Sequence, residues 1–332
     1  MITLEQVAFR AGCSVSTVSR VLSRTGPVSA EMVRKVRRAA AELGYRHSTS
    51  KAGQGRQSRP VVGVLVPSIS NPVFAASLAG IQRRLQAAGH SVLIAQSNYD
   101  PSIETTAVAS LLEEHPTGLI LTLCDPRCSD VLSAALPPTV LLNNMPMPRF
   151  PAAVTVDNFQ ASYELVNFLT GKGHDRILFV SGRFTSSDRA RLRYEGYCQA
   201  LADNGHEPLE AMQIDFLDGY ENLDLFDVVE NIRPSAIIAS NDLLALGVIA
   251  ALRRHGLSVP DDISVCGFDG ISIGRLLERP LTTIRMPDAD MGTAAAALLL
   301  DIAENAAPPR HLRVGHQLFA GATVARFQRL IS

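Results

Sequence analysis

Apolar residues near the N-terminus recur at helical spacing in three short runs. Leu4, Val7, Ala8 and Ala11 share one face, Thr3 and Gln6 stand three apart as a capping box, and Gly12 ends the run. After a Gly12-Cys13 turn, Ser14 caps a second run with Val18, Val21 and Leu22 on its apolar side; Val15, Ser16, Thr17, Ser19 and Arg20 fall on the other faces. Ser29 caps a third, with Val33, Val36, Ala40 and Leu43 inward, Arg34, Lys35, Arg37 and Arg38 outward, and Gly44 closing it. Two helices joined by a tight glycine turn and braced by a third predict a helix-turn-helix module of minimal size.

From His47 to Pro60 hydrophobic periodicity disappears into Ser, Thr, Gly, Gln and basic residues, the composition of a linker, with a plain flexible tether as one reading. Beyond Pro60 short β-branched runs alternate with amphipathic helical stretches. The runs are Val61 to Val66, Ser91 to Gln96, Gly118 to Thr122, Thr139 to Leu142, Ile177 to Ser181, Ala236 to Ser240 and Ser264 to Phe268. Such alternation predicts an α/β body of doubly wound parallel sheets, and its length fits two lobes better than one. Small and polar residues cluster after these runs, at Pro67 to Asn71, Asn143-Asn144, Ser181 to Arg183, Ser240 to Asp242 and Asp269 to Ser272. Ligands bind at the carboxyl ends of parallel strands, so a cleft between the lobes is expected. The expected division is residues 1–46 for the helix-turn-helix, 47–60 for the linker and 61–332 for the two-lobed body.

The 332 residues are 46% hydrophobic and 19% charged, as in a globular protein of two or three domains. The net charge of −1 conceals a polarised chain, because Met1 to Arg59 holds 11 basic residues against 3 acidic ones and the remainder is correspondingly acidic. The N-terminal segment is therefore where a phosphate backbone would be attracted. Cys13, Cys124, Cys128, Cys198 and Cys266 are odd in number and scattered, which predicts reduced thiols in a cytoplasm. Cys124 and Cys128 lack a second pair at zinc spacing, so neither metal nor cofactor is expected. Neither a secretory leader nor an apolar run of about 18 residues is readable, so a cytoplasmic protein without membrane association is predicted.

Phosphate-loop, nucleophile-elbow, zinc-protease and dinucleotide motifs are all missing, and Pro67-Ser68 follow the first strand where a glycine-rich turn would stand. No enzyme is expected. Two further alternatives are an exported solute-binding protein, in which a basic helix-turn-helix has no place, and a DNA-binding regulator without small-molecule control.

The N-terminal motif Val7-Ala8-x-x-Ala11-Gly12-x-Ser14-x-x-Thr17-Val18-Ser19-Arg20-Val21-Leu22 is followed by Val28-Ser29 and Leu43-Gly44-Tyr45. Downstream stand Ser70 to Phe74, Val156-Asp157-Asn158, Gly173-His174, Arg193-x-x-Gly196-Tyr197, Ser240-Asn241-Asp242, Val259 to Asp269 and Pro280 to Ile284. In these motifs the chain resembles the lactose-repressor (LacI) family of bacterial transcription regulators from Thr3 to about Val324. The resemblance implies a repressor that binds a near-palindromic double-stranded DNA operator as a homodimer under the control of a small effector. It places Val15, Ser16 and Arg20 at base edges and Thr3, Ser14, Thr17, Ser19 and Ser23 near phosphates. The chemistry fits: Arg20 can pair bidentately with guanine, Val15 can pack on a thymine methyl, and hydroxyls suit phosphate. Thr17 and Ser19 could equally be plain helix-surface residues.

In the family a leucine of the folded linker wedges into the minor groove. Here that position is Gln54 between Gly53 and Gly55, with no leucine from Tyr45 to Pro60, and Lys51, Arg56 and Arg59 offer electrostatic contact instead. For the effector, the resemblance picks out Arg193, Asn241 and Asp269, with Asn71 and Phe74 from the first lobe and Asn143 nearby. That set suits the hydroxyls of a sugar or the carboxylate of a sugar acid. Asn241 could instead serve as a helix cap, the role expected of Asp242, and Arg193 could pair with Asp269; His174 is expected at a strand start rather than on a ligand. Two departures from the family are Gly270, where a second acid is common, and Phe319 to Thr323, the expected last strand, which lacks an arginine. No C-terminal heptads are readable, so a dimer is expected rather than a tetramer.

Overall fold

The computed structural model describes residues 3–23, 28–43, 45, 59–215, 220 and 222–327. Its first helices are those the apolar spacing predicts: α1 (Leu4–Ala11), α2 (Val15–Ser23) and α3 (Ala30–Leu43). The capping box at Thr3 and Gln6 is formed, and Gly12 ends α1 in the left-handed region at φ 64°. Ser14 Oγ accepts the Thr17 N–H at 3.2 Å and Ser29 Oγ accepts that of Met32 at 3.3 Å. Val7, Ala8, Val18, Val21, Val36, Ala39 and Ala40 form a small core of their own. Arg37, expected outward with its basic neighbours, is half-buried and donates to the Ala303 carbonyl of the larger body. The closure expected at Gly44 lies outside the described residues.

The first lobe is built from β1 (Val61–Val66), α4 (Pro72–Ala87), β2 (Ser91–Gln96), α5 (Pro101–Glu113), β3 (Gly118–Leu121), β4 (Thr139–Leu142) and β5 (Ala153–Val156). The second follows as α6 (Asn158–Thr170), β6 (Ile177–Gly182), α7 (Asp188–Asp203), β7 (Met212–Ile214), α8 (Phe226–Ile232), β8 (Ala236–Ala239), α9 (Asp242–Arg254), β9 (Ser264–Asp269) and β10 (Thr282–Arg285). The chain then returns to the first lobe for α10 (Asp288–Asn305) and β11 (His311–Val314), and crosses back for β12 (Gln317–Phe319). Among the described residues two six-stranded sheets result, ordered β11-β5-β4-β3-β1-β2 and β12-β10-β9-β8-β6-β7. Among the described residues these strands pair in parallel except β10 with β12. Central strands such as β3, β4, β6, β8 and β9 are buried at every residue, as sheets covered on both faces require.

All seven runs singled out in the sequence are strands. Five others, β5, β7, β10, β11 and β12, are three or four residues long and each includes a polar residue that shortens its apolar run. The run expected as the last strand over Phe319 to Thr323 is displaced: β12 ends at Phe319, and the residues after it are not strand.

Helices α4 and α10 pack backbone to backbone. A Cβ on Gly80 would stand 2.0 Å from the Ala289 carbonyl oxygen, and one on Gly292 would stand 2.1 Å from that of Ser77. The chain passes between lobes after β5, after β10 and after β11, and Met286 in the second crossing packs against the cores of both lobes.

Candidate functional site

On the N-terminal unit, burial of Val18 and Val21 turns the opposite side of α2 to solvent. Val15 is 40% exposed, and Ser16 and Arg20 are exposed beside it. Thr17 and Ser19 are half-buried at the edges of this surface. Ser14 Oγ lies 2.8 Å from both Ser16 Oγ and Thr17 Oγ1, so the capping hydroxyl also aligns two hydroxyls of the outward face. Thr3 is exposed and serves as the α1 cap. Arg10 reaches Glu42 at 2.7 Å, tying α1 to α3, and Arg38 joins the same carboxylate at 2.9 Å from within α3. The Ser23 side chain and the linker positions Lys51, Gln54 and Arg56 lie outside the described residues.

Between the lobes lies a cleft, open to solvent, at the carboxyl ends of the strands. Asn71, Phe74, Asn143, Arg193, Asn241 and Asp269, the six residues singled out in the sequence, all line it. Asn71 caps α4 through Oδ1 and donates through Nδ2 to Tyr99 Oη at 3.0 Å; Phe74 packs against the Tyr99 ring with centroids 6.3 Å apart. Two of the six sit in backbone that L-residues rarely adopt, Asn143 at φ 67° and Asp269 at φ 107°. Local strain of this kind is held by surrounding structure and concentrates at functional sites.

Arg193 is the centre of the second lobe's wall. Its Nε donates to Asn158 Oδ1 at 2.8 Å, Nη1 to the Ser240 carbonyl, and Nη2 lies 3.3 Å from Asp269 Oδ1, while the guanidinium rests 4.7 Å over the Phe268 ring. The alternative left open by the sequence, an Arg193–Asp269 pair, is therefore present. Burial raises the Asp269 carboxyl above the usual carboxylate range, and Arg193 opposes that rise.

The helix cap went to the other residue. Asn241 Oδ1 accepts the Leu244 N–H at 2.8 Å, whereas Asp242 is buried and accepts from Thr283 Oγ1 at 2.7 Å and the Ile271 N–H at 2.9 Å. Asn241 thus caps α9 and lines the cleft at once. His174 Nε2 donates to the Ala325 carbonyl, 3.1 Å away, and the ring stacks on Phe327 outside the cleft, in the segment that leads into β6. Gly270, a departure in the sequence, has a steric cause: its φ is 73°, and a Cβ there would stand 2.6 Å from the Arg285 side chain.

Tyr99, Asn158, Arg189 and Asp288 are among the further cleft residues that the sequence reading did not assign to the site. Asn158 was visible as part of a motif; the others carry no periodic or motif signal. Asp288 opens α10 at a lobe crossing, and its carboxyl is pushed up to about 8 by burial and by the neighbouring Asp269 and Asp242, against the pull of Arg193. Among the described residues no group of acids, histidines and cysteines is placed to hold a metal, and no helix is long and apolar enough to cross a membrane.

Residues 3–48 match the profile described as bacterial regulatory proteins, lacI family, and residues 166–324 match that of a periplasmic binding protein-like domain. The HTH-type transcriptional regulator GntR of Escherichia coli K12 is 31% identical over 326 residues, covering 97% of this chain and 98% of the relative. The HTH-type transcriptional repressor CytR of the same strain is 31% identical over 306 residues, covering 90% and 89%. Among solved structures, a lac repressor dimer bound to operator and the anti-inducer ONPF aligns with TM-score 0.70 at 28% identity over 98% of this chain and 99% of that one. A LacI-family regulator from Silicibacter pomeroyi aligns with TM-score 0.71 at 26% identity over 98% and 100%. With full-length relatives at this identity, and with a helix-turn-helix and a two-lobed cleft in one chain, the protein belongs to the LacI family of bacterial regulatory proteins.

Proposed function

We propose that this chain is a transcriptional repressor that binds a near-palindromic operator as a homodimer and is controlled by a sugar or sugar acid in the inter-lobe cleft. The observation that carries the reading is the outward face of α2: burial of Val18 and Val21 leaves Val15, Ser16 and Arg20 exposed together on a strongly basic segment. These three side chains read base edges in the major groove, and Thr3, Ser14, Thr17, Ser19 and Ser23 hold phosphates. One such helix reads few base pairs, so two copies on a two-fold axis supply useful specificity. The division of labour follows the chain: residues 1–46 bind DNA, 47–60 join, and 61–332 bind effector and dimerise. The protein has no catalytic role in this reading and works in the cytoplasm.

Control follows from two lobes sharing one ligand. An effector that binds one lobe arrangement more tightly shifts the dimer between half-site spacings that fit DNA and spacings that do not. The relatives with bound ligand include a CelR–cellobiose complex, which supports a carbohydrate-sized ligand in a cleft of this type. Selection of bound sequences from a random duplex pool tests the DNA part. Enrichment of a near-palindrome with half-sites about one or more helical turns apart supports it, and failure to enrich any palindrome contradicts it.

A further inference from the structure

Arg189 stands in the cleft wall without being fully used by the protein. It is 7% exposed, and its Nη1 donates to the Leu123 carbonyl at 2.9 Å and to Asp188 Oδ1 at 3.1 Å. Its Nη2 is buried with no hydrogen-bond partner among the described residues. A buried charged donor left unsatisfied costs more than an ordinary missing hydrogen bond, and an anion is its strongest partner. Arg193 across the wall is different, since all three of its nitrogens have protein partners.

The position of Arg189 ties this unused donor to lobe closure. Leu123, Cys124 and Asn144 belong to the first lobe; Asp188 and Arg189 begin α7 in the second. Three hydrogen bonds cross between them: Arg189 Nη1 to the Leu123 carbonyl, Asn144 Nδ2 to Asp188 Oδ1 at 3.0 Å, and the Asp188 N–H to the Cys124 carbonyl at 2.8 Å. Burial raises the carboxyls of Asp188, Asp269 and Asp288, and the charge of Arg189 or Arg193 opposes that rise in each.

We infer that the effector is an anionic polyhydroxy compound whose oxyanion, carboxylate or phosphate ester, is taken by Nη2 of Arg189, and that this contact couples ligand charge to closure of the lobes. The inference rests on the effector-binding reading given above and narrows its ligand class. Arg189 is then the residue that separates acids from the neutral sugars of the same skeleton. A charge-assisted hydrogen bond in a buried site corresponds to a discrimination of roughly 10- to 100-fold.

The test is a calorimetric titration of the full chain with matched sets: an aldonate, a uronate and a hexose phosphate, each beside its neutral parent. Arg189→Met, Arg189→Lys and the double variant Asp188→Asn/Arg189→Met are titrated in parallel, with unfolding midpoints confirming that each is folded. The double variant leaves no unpaired carboxylate behind, and should a single variant fail to fold, the wild-type ratios still decide the ligand class. The expected result is at least one acid or phosphate bound tenfold or more tightly than its parent, a preference abolished by Met, absent in the double variant and partly kept by Lys. Preference for phosphates or for carboxylates identifies which oxyanion is used. A neutral sugar bound as tightly as its acid, or a preference that survives in Arg189→Met and the double variant, overturns the inference and leaves the effector reading in place. Absence of binding by every member of both classes contradicts the effector reading itself, and the inference with it.

Discussion

Asn144 and Asp188 meet across the boundary between the lobes, the Asn144 Nδ2 donating to Asp188 Oδ1 at 3.0 Å while both side chains are buried. The same amide holds the Leu123 backbone on both sides, accepting its N–H at 2.7 Å and donating to its carbonyl at 3.0 Å. One side chain therefore fixes a strand end of the first lobe and the first turn of α7 in the second. Asn144→Ala leaves the buried Leu123 N–H without its acceptor and removes one of the two donors to the Leu123 carbonyl and to Asp188 Oδ1, which both keep Arg189 Nη1, and should lower stability by about 1 to 3 kcal/mol in denaturant unfolding. A loss within experimental error would show that the lobes are not held together here.

The helix that faces DNA makes a separable prediction. Arg20→Ala should cost about 1 to 3 kcal/mol on the preferred operator and relax selection at one base position of each half-site. An equal loss on all sequences, read by competition binding at fixed salt, would make Arg20 a phosphate contact instead.

Much of this was legible in the residues. Caps at Thr3, Ser14 and Ser29 and the breaker Gly12 were readable because capping and left-handed turns are decided within four residues. Buried central strands, four-residue ones such as β3 and β8 included, were readable because parallel sheets covered on both faces need unbroken apolar runs. Arg189 and Asp288 were not, because what makes them matter is tertiary: the carbonyl that Arg189 holds is 66 residues away, and Asp288 meets Asp269 and Arg193 only where the chain crosses between lobes. The exchange of roles between Asn241 and Asp242 has the same origin. Both residue types can cap, and only the position of Thr283 and Ile271 in the fold draws Asp242 inward.

Asp288 predicts a pH dependence. Its carboxyl is raised from the usual 3.8 to about 8, so the folded state favours the protonated form. The unfolded chain releases that proton at lower pH, and stability therefore falls as pH rises from about 4 to about 8. Asp288→Asn removes this dependence: its unfolding midpoint should gain on the parent protein progressively between pH 5 and pH 8. A constant offset across that window would contradict the assignment.

Packing of α4 on α10 predicts a steric effect. Gly292→Ala drives a methyl group to 2.1 Å from the Ser77 carbonyl oxygen, a backbone atom that cannot rotate away. The helices must separate, at a cost of about 1 to 3 kcal/mol in unfolding free energy. Gly205→Ala, with nothing within 4 Å of the new atom but a φ of 76°, tests backbone strain alone and should cost less.

The linker predicts DNA shape. With Gln54 between two glycines and no leucine from Tyr45 to Pro60, an apolar wedge is lacking and each glycine disfavours a helix by roughly 1 kcal/mol. Circular-permutation gel shifts should show no sharp bend at the operator centre; a sharp central bend would contradict it.

Ligand-dependent DNA binding itself is tested by titrating the selected operator with the protein, by fluorescence anisotropy at constant ionic strength, with and without each compound that binds the cleft. A binding effector should change operator affinity at least fivefold, and operator should change effector affinity by the same factor, since the coupling is reciprocal. Operator affinity that stays the same while the cleft is demonstrably filled would contradict control through the cleft.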